Sequence, residues 1–383
     1  MNLKKEIWSE STVEDVATEK SVRIDKPSES EYEKFVGLEH FESGELKIKR
    51  FGSTADLNSA MKLFSKGDLL FARRNAYLKR ASIANFKGVC SGDAIVIEQN
   101  DKLVSEFLVL LFNSSNFWEY AISNAAGTMS KRVKWRDLAK FKFKLPPKDE
   151  QEKILSLFLT LEKQIEQTEE QEKNLIALRT KLTTELVCKE AQFGKLLNSD
   201  NCKPSSLGAI AKETRENTKT PLDEGIERFV GLEHIEPGNL KIQGWGNVAD
   251  GTTFTKVFKI GDVLFGRRRA YLKKAAHADF TGICSGDITV LRANSKLILA
   301  DLLPYYLSAD PVFEFAVSNS AGSLSPRAKW RDLSKYEISL PDLKVQEEIL
   351  ETFQLLDANI TSNKEQRSTL KKLKHQLLDE ILG

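Results

Sequence analysis

Two long segments of this chain place apolar residues at helical spacing among polar ones. Neither contains Pro or Gly over several turns, and both are rich in Glu, Lys, Gln and Leu, which favour helix. The apolar positions recur every three or four residues, as in a coiled coil. They are Ile154, Phe158, Leu161, Ile165, Leu175, Leu182 and Leu186 in the first segment, and Ile349, Phe353, Leu356, Ile360, Leu370, Leu377 and Ile381 in the second. Pro146 and Pro147 before the first segment, and Pro341 before the second, mark the expected helix starts.

These helices are longer than a small domain can cover. About 40 residues of helix extend roughly 60 Å. We therefore expect the two helices to pair with each other and to hold the other domains apart, although each could instead pack on its own domain. Polar positions interrupt both apolar stripes, near Thr168 and Glu172 and near Asn363 and Arg367. Such a layer can fix the register of a pair, but it does not choose parallel over antiparallel.

The whole chain is a tandem duplication. Residues 35–40, FVGLEH, recur at 229–234, an offset of 194. At the same offset GDLLFARRNAYLKR (67–80) recurs as GDVLFGRRRAYLKK (261–274), and VCSGD (89–93) as ICSGD (283–287). At an offset of 195, AGTMSKRVKWRDLAKF (126–141) matches AGSLSPRAKWRDLSKY (321–336), and LPPKDEQEKIL (145–155) matches LPDLKVQEEIL (340–350). Such a period is too long for a solenoid unit, so we expect two globular heads, each followed by a helical tail and related by a pseudo-two-fold axis.

The heads have a mixed pattern that indicates an α+β fold. The segments LKIKRFG, DAIVIEQ and DITVLRA resemble short strands, while residues 105–125 have helical spacing and many aromatic residues. The net charge is only +2, and no apolar run reaches the length of a membrane span. The first residues lack the apolar core of a signal peptide, so we expect a cytoplasmic protein.

The four cysteines do not predict a metal site. Cys90, Cys188, Cys202 and Cys284 form no CxxC pair and no metal-ligand spacing with the four histidines. Their even number leaves disulfides open, but we expect buried thiols.

Each head contains two short basic clusters. In the first head they are Arg73, Arg74, Asn75, Tyr77, Lys79 and Arg80, and Ser130, Lys131, Arg132 and Lys134. In the second they are Arg267, Arg268, Arg269, Tyr271, Lys273 and Lys274, and Ser325, Arg327 and Lys329. Arg can bind guanine edges with two hydrogen bonds, Asn can bind adenine edges, and Lys or Ser can hold phosphates. Most charge runs are solvated surface, but these follow an apolar stretch or lie in the best-matched segments, so we predict DNA contact.

Other repeated polar residues have simpler interpretations. Trp135 and Trp330 are expected to anchor the core rather than stack on bases. His40 and His234 are expected to be hydrogen-bonded structural residues, and Asp68, Asp93, Asp262 and Asp287 to make turns beside Gly. Pairing of Asp68 with Asp93 around a metal is the less favoured hypothesis. The two heads differ at Asn75 against Arg269 and at Lys131 against Pro326. If these side chains reach base edges, the heads are expected to read related but unequal half-sites.

These motifs resemble the specificity subunit of type I restriction-modification systems over nearly the whole chain. The resemblance rests on GDxLFxRRxAYLxK, CSGD, the GSLSPRxKW segment and the L-P-x-x-x-x-Q-E helix start. It implies target-recognition domains at 1–147 and 194–342, separated by spacer helices at 148–193 and 343–383 that pack as an antiparallel coiled coil. The first copy departs from GSLSPR as GTMSKR, which makes the contacts of Gly127–Trp135 less secure than those near Arg327.

The same resemblance implies the partners. Each head would read one half of a split double-stranded DNA target, and the helices would fix the number of unread base pairs. Two modification subunits would dock on this frame and methylate adenine with S-adenosylmethionine, and a translocating restriction subunit is an optional further partner. The chain itself would be non-catalytic and hold no cofactor or metal. Heads this similar predict a nearly palindromic interrupted target, with half-site centres about 34 Å apart.

Three other functions compete with this one. A DNA methyltransferase would need a glycine-rich cofactor loop and an Asn-Pro-Pro-aromatic or acidic site, and the sequence has neither. PPKDEQEK faintly resembles a nuclease pattern, but Pro and acidic residues are also helix-start signals. A coiled-coil scaffold that binds only protein would not need the basic clusters. A specificity subunit of another methyltransferase-linked defence system would share every feature above.

Overall fold

The protein was studied as a computed structural model, which describes residues 3–128, 130–188, 192–194, 196–198, 200–322 and 325–383. The chain divides into two compact units. Unit 1 comprises Met1–Glu169 and Glu365–Gly383, and unit 2 comprises Glu170–Lys364. Each unit therefore contains one head and one half of each long helix.

The head of unit 1 contains eleven strands and four short helices within the described residues. The strands are β1 Ser9–Thr12, β2 Ala17–Lys20, β3 Arg23–Ile24, β4 Lys34–Val36, β5 Gly52–Ser53, β6 Met61–Phe64, β7 Leu69–Ala72, β8 Ala81–Ile83, β9 Gly88–Cys90, β10 Ala94–Gln99 and β11 Lys142–Leu145. The helices are α1 Val13–Val16, α2 Leu108–Phe112, α3 Ser115–Ser123 and α4 Trp135–Leu138.

The head of unit 2 repeats this order. After the long helix α5 (Lys148–Val187) come β12 Cys202–Ser206, α6 Leu207–Ile210, β13 Ala211–Glu213, β14 Arg228–Val230, β15 Gly246–Asn247, β16 Lys256–Phe258, β17 Val263–Gly266, β18 Ala275–His277, β19 Gly282–Cys284 and β20 Ile288–Ala293. Helices α7 Leu303–Ser308, α8 Asp310–Ser318 and α9 Trp330–Leu333, strand β21 Glu337–Pro341 and the long helix α10 Leu343–Leu382 follow.

The sheet topology shows the duplication directly. Unit 1 has sheets ordered β2-β10-β7-β8 and β3-β6-β9-β4-β5, and unit 2 has β13-β20-β17-β18 and β16-β19-β14-β15. The β4–β9 and β14–β19 pairs are parallel, while the other strand pairs within these sheets are antiparallel. In place of β3, unit 2 has a single bridge from Asn217 to Lys256. The mixed heads confirm the α+β prediction.

The GDLLFA run contains β7, one of the two inner strands of its sheet, and both faces of this strand are buried. In β7, Leu69 and Phe71 pack among the helices, while Leu70 and Ala72 pack toward the second sheet. Successive side chains of a strand point to opposite faces, so an unbroken apolar run can serve two cores. In β17, Val263 and Phe265 face the helical core and Leu264 the other. The basic pairs that follow these strands therefore begin where the chain leaves the core.

The two long helices lie antiparallel within each unit. In unit 1, Trp8 donates its indole N–H to Glu150, near the start of α5, and the neighbouring Lys5 donates to the Glu380 carbonyl, near the end of α10. Further along, Lys374 pairs with Glu162. In unit 2, Arg179 Nη1 lies 2.7 Å from Asp357 Oδ1, and Leu186 shares a core with Ile349. In both units the start of one helix thus lies beside the end of the other.

The predicted apolar stripes lie in these cores. In unit 1 one core contains Ile154, Phe158, Leu161, Leu370, Leu377 and Ile381 together with head residues, and in unit 2 one contains Leu175, Leu182, Leu186, Ile349, Phe353 and Leu356. Ile165 is buried and Ile360 is half-buried. The helices therefore pack both on each other and on a head, which combines the two alternatives considered above.

A buried glutamine fixes the start of each long helix to its head. The Gln151 side-chain carbonyl accepts from the Val104 N–H at 2.8 Å, and its amide donates to the carbonyls of Pro146 and Lys102. Gln346 makes the same contacts with Leu299, Pro341 and Leu297. The repeated L-P-x-x-x-x-Q-E motif is thus both a helix start and an attachment to the head.

Some local predictions were wrong or incomplete. LKIKRFG is not a continuous strand: Lys47 makes one bridge to Ile83, and only Gly52 belongs to a strand, β5. Residues 105–125 form two helices, because the Ser114 hydroxyl accepts from the Phe117 N–H and begins a new helix. Helix α5 ends at Val187 rather than 193, and residues 189–191 lie outside the described residues.

Candidate nucleic-acid interface

The first basic cluster of each head lies on a loop with an uncommon backbone. Asn75 and Lys79 have φ angles of 55° and 49° and flank a 3-10 turn, Ala76–Leu78. Arg269 and Lys273 repeat this geometry with 50° and 51°. A left-handed backbone costs a residue other than Gly on the order of 1–3 kcal/mol and persists only where the surroundings enforce it. The surrounding contacts therefore hold these loops in one shape.

The structure brings the two basic clusters of each head together. The Asn75 N–H donates to the Lys131 carbonyl at 3.0 Å, and the Val133 N–H donates to the Arg73 carbonyl at 3.0 Å. In the second head the Arg269 N–H donates to the Pro326 carbonyl, and the Ala328 N–H to that of Arg267. Clusters more than fifty residues apart thus form one surface per head. We call the surface of 73–80 with 130–134, and its counterpart of 267–274 with 325–329, the basic surfaces.

A single carboxylate organises each basic surface. Asp93 of the CSGD motif accepts from Arg132 Nε at 2.7 Å, and Arg74 Nη1 lies 3.7 Å from the same carboxylate. Arg74 also donates from Nε to the Ser130 hydroxyl at 2.6 Å. The hydrogen bond from Arg132 holds the pKa of Asp93 below its ordinary value, so the carboxylate stays charged.

The second head repeats this network with the equivalent residues. Asp287 accepts from Arg327 Nε at 2.8 Å and from Arg268 Nη1 at 3.2 Å, and Arg268 Nε donates to Ser325. Burial of Asp287 opposes its ionisation, but the hydrogen bonds from the two arginines outweigh it and lower its pKa. Asp93 and Asp287 lie in turns, as expected, but sequence reasoning missed that they orient the arginines. Their repetition within CSGD was the available signal.

The FVGLEH motif of each head accepts a hydrogen bond from the basic surface. Arg80 Nη1 donates to the Leu38 carbonyl at 2.9 Å, and Lys274 donates to that of Leu232 at 2.7 Å. His40 and His234 each accept from a backbone N–H, of Gly37 and Gly231, through Nδ1. The histidines are thus hydrogen-bonded structural residues, as the sequence predicted.

The remaining predicted contact residues differ in exposure. Tyr77 and Tyr271 are 63% and 55% exposed at the tips of the loops, beside the exposed Leu78 and Leu272, which sequence reasoning missed. Lys131, Lys134, Arg269 and Lys329 are exposed. Lys79 is half-buried, and Lys273 forms an ion pair with Asp310 at 2.7 Å. Arg73 and Arg267 each have a buried Nε without a hydrogen-bond partner in the described residues.

Sequence reasoning also missed a repeated aromatic cluster in each head. The Lys34 ammonium lies 4.6 Å from the ring centre of Phe51 and 4.7 Å from that of Phe86. The Arg228 guanidinium lies over Trp245 and Phe280 at the corresponding positions. Phe51 and Trp245 are each 47% exposed. Only the alignment of the two copies reveals these residues in the sequence.

Metal binding and cysteine chemistry were the other candidate functions of the polar residues. No group of three His, Cys, Asp or Glu side chains there could hold a metal ion. All four cysteines are free, and burial raises the pKa of the Cys90 and Cys284 thiols to about 12, so these two remain protonated. Trp135 and Trp330 begin α4 and α9 and pack against the cores. No helix among the described residues is long and apolar enough to cross a membrane.

Comparisons with known proteins agree with this architecture. The family model "Type I restriction modification DNA specificity domain" matches residues 5–177 and 207–372. The type I restriction enzyme EcoDI specificity subunit of Escherichia coli is 30% identical over 142 residues, which are 37% of this chain and 31% of that relative's length.

Two solved structures share the fold over nearly the whole chain. One belongs to a study of complex assembly and conformational transition in the type I restriction-modification system, with a TM-score of 0.61, 20% identity and 97% of each chain covered. The other is the type I restriction-modification S subunit from M. genitalium, with a TM-score of 0.56, 14% identity and 98% and 96% coverage. Because the family model covers most of the sequence and both heads, this chain belongs to the family of type I restriction modification DNA specificity domains.

Proposed function

We propose that this chain is the DNA-recognition subunit of a type I restriction-modification complex and that it catalyses no reaction itself. The observation that carries the proposal is the basic surface. In both heads, clusters distant in sequence are joined around one carboxylate and present Arg, Lys, Ser and Tyr side chains together. These groups match the bidentate, phosphate and stacking contacts by which proteins bind DNA.

In this proposal each head reads one half of an interrupted target. The two surfaces share their network, so the two half-sites should be similar and the target nearly palindromic. Two modification subunits would dock on the chain and bind the S-adenosylmethionine that methylates adenine, and a restriction subunit could join them. The complex would act in the cytoplasm, where the DNA is.

The test is the adenine methylome of the source cell, measured by long-read sequencing with and without this gene. We expect deletion to remove one interrupted, nearly palindromic motif, and complementation to restore it. An unchanged methylome in a strain shown to express the protein would contradict the proposal and favour a protein-binding scaffold. A lost motif with unrelated halves would preserve the role but contradict the similarity of the half-sites.

Binding measurements separate DNA recognition from scaffolding independently of methylation. The complex with its modification subunits should bind the target duplex with an affinity that falls steeply as salt rises, because Lys and Arg displace counterions from phosphates. A control duplex with both halves scrambled should bind more weakly at every salt concentration. Equal affinity for the two duplexes would contradict sequence-specific recognition.

A further inference from the structure

The two basic surfaces differ at four described positions. Two of these differences do not change the side chains that a ligand could contact. Val133 and Ala328 are buried, so neither reaches a ligand. Arg80 and Lys274 both donate to the carbonyl of the equivalent leucine, Leu38 or Leu232. What remains is the pair already noted in the sequence, Asn75 against Arg269 and Lys131 against Pro326.

The structure shows that these two positions are neighbours. The Asn75 N–H donates to the Lys131 carbonyl, and the Arg269 N–H donates to the Pro326 carbonyl, each at 3.0 Å. The backbone at this point is therefore the same in both heads, although the side chains differ. The left-handed φ of Asn75 and Arg269, 55° and 50°, also agrees closely.

The exposed cationic side chain at this backbone contact comes from a different side of the contact in each head: it is Lys131 in the first head and Arg269 in the second. In the first head Lys131 is exposed and Asn75 is half-buried, whereas in the second Arg269 is exposed and Pro326 is half-buried. Each head thus presents one positive charge, supplied from opposite sides of the same backbone contact. Within the described residues, the side chains of Asn75, Lys131 and Arg269 make no hydrogen bond or ion pair, unlike the arginines held by Asp93 and Asp287.

We infer that this two-residue element, Asn75 with Lys131 and Arg269 with Pro326, makes the two half-sites differ at one base pair. The inference rests on the proposed function and assigns its specificity. Asn binds adenine through N6 and N7, while Arg binds guanine through O6 and N7. The half-site of the first head therefore has adenine where the half-site of the second has guanine. Lys131 supplies a phosphate contact in the first head that Pro326 cannot make.

The experiment exchanges the element between the heads and sequences the resulting methylomes. N75R with K131P should convert the first half-site into the second, and R269N with P326K should do the reverse. Each double variant should therefore methylate a fully palindromic interrupted motif. The preference at the changed base pair should reverse by about tenfold or more, since the bidentate contact that one base satisfies is lost with the other.

A control exchange and two single variants make the outcome decisive. The exchange D101S with S295D is the matched control, because both positions are exposed turn residues outside the basic surfaces, and it should leave the motif unchanged. The single variants N75R and R269N keep the native residues at 131 and 326. N75R should change adenine to guanine in the first half-site, and R269N should change guanine to adenine in the second. These single variants test the inference even if a double variant folds poorly.

The possible failures are distinguishable. Retention of the wild-type motif by all exchange variants, with methylation still active, would overturn the inference and leave the proposed function intact. A change at a different base pair would also overturn it. Methylation that persists when the whole gene is deleted would overturn the proposed function and, with it, this inference.

Discussion

Arg132 Nε lies 2.7 Å from Asp93 Oδ1, although the two residues are 39 positions apart in the sequence. Asp287 and Arg327 are joined in the same way at 2.8 Å. A carboxylate at the centre of a cationic surface reduces the net charge available to DNA. The carboxylate recurs in both heads, which indicates that orienting the arginines matters more for binding than the positive charge that it cancels.

Replacing Asp93 with Asn should weaken specific binding even though it removes one negative charge. Loss of the ionised acceptor frees Arg132 and Arg74, at a cost of about 1.5–3 kcal/mol for a hydrogen bond to a charged group. Affinity of the complex for its target duplex should fall roughly tenfold or more, while affinity for a scrambled duplex stays equal or rises. D56N removes an exposed carboxylate elsewhere in the same head and is the charge-matched control. An increase in target affinity for D93N would show that charge alone governs the surface.

Acid should destabilise the heads through the same carboxylates. The hydrogen bond from Arg132 lowers the pKa of Asp93 in the folded protein, so its stabilisation is present above the unfolded pKa of about 4. That stabilisation is lost as the pH falls through the lower, folded pKa. Thermal denaturation should therefore show a wild-type advantage over D93N at pH 7 that shrinks below about pH 4. A constant difference between the two proteins across this range would contradict the assignment.

Lys374 should be far more sensitive to substitution than its position on a helix surface implies. Its ammonium pairs with Glu162 and donates to the Gly44 carbonyl, and both side chains of the pair are only 9% exposed. K374M would leave a buried, uncompensated carboxylate, which costs about 3–5 kcal/mol. The double variant K374M with E162L should recover most of that loss in a denaturant titration, whereas K372M, at an exposed position, should change little. A double variant no more stable than K374M would contradict this explanation.

Gln346 and Gln151 should stabilise the protein by attaching the long helices to the heads, and not by their helix propensity. Gln346 is fully buried and satisfies the Leu299 N–H and the carbonyls of Pro341 and Leu297. Q346L would leave these backbone groups without partners, at about 1–3 kcal/mol for each buried unsatisfied group. Q164L, an exposed glutamine of helix α5, provides the comparison and should be nearly neutral. Equal melting temperatures for the two variants would count against an attachment role.

The features that sequence reasoning predicted correctly are those that repeat or that have a local period. Pro146 and Pro147 placed the start of α5, and the 3-4 spacing identified the residues that pack in its cores. The duplication predicted two heads, and their sheets follow the same strand order. Local signals were sufficient here because helix starts and apolar stripes depend on neighbouring residues.

The basic surface could be predicted only in its parts. Its residues were identified, but nothing local joins Asn75 to Lys131, because that contact depends on how the loop after β7 and the residues around Arg132 meet in three dimensions. Asp93 illustrates the same difficulty: the adjacent Gly correctly indicated a turn, while its arginine partner lies far along the chain. The prediction for LKIKRFG failed for the opposite reason. Its alternating apolar residues match a strand pattern, but in the fold Lys47 makes one bridge to Ile83 and only Gly52 lies in a strand.

Unit 1 is discontinuous in sequence, and this has a consequence for biosynthesis. Its core joins Ile154 and Phe158 to Leu378 and Ile381, with all of unit 2 between them. A ribosome therefore releases the first head with one side of its core uncovered and completes the second, contiguous unit before the missing segment exists. The core of the head translated first is therefore the last to be completed. Until then, its exposed apolar residues are the ones that a chaperone would need to shield.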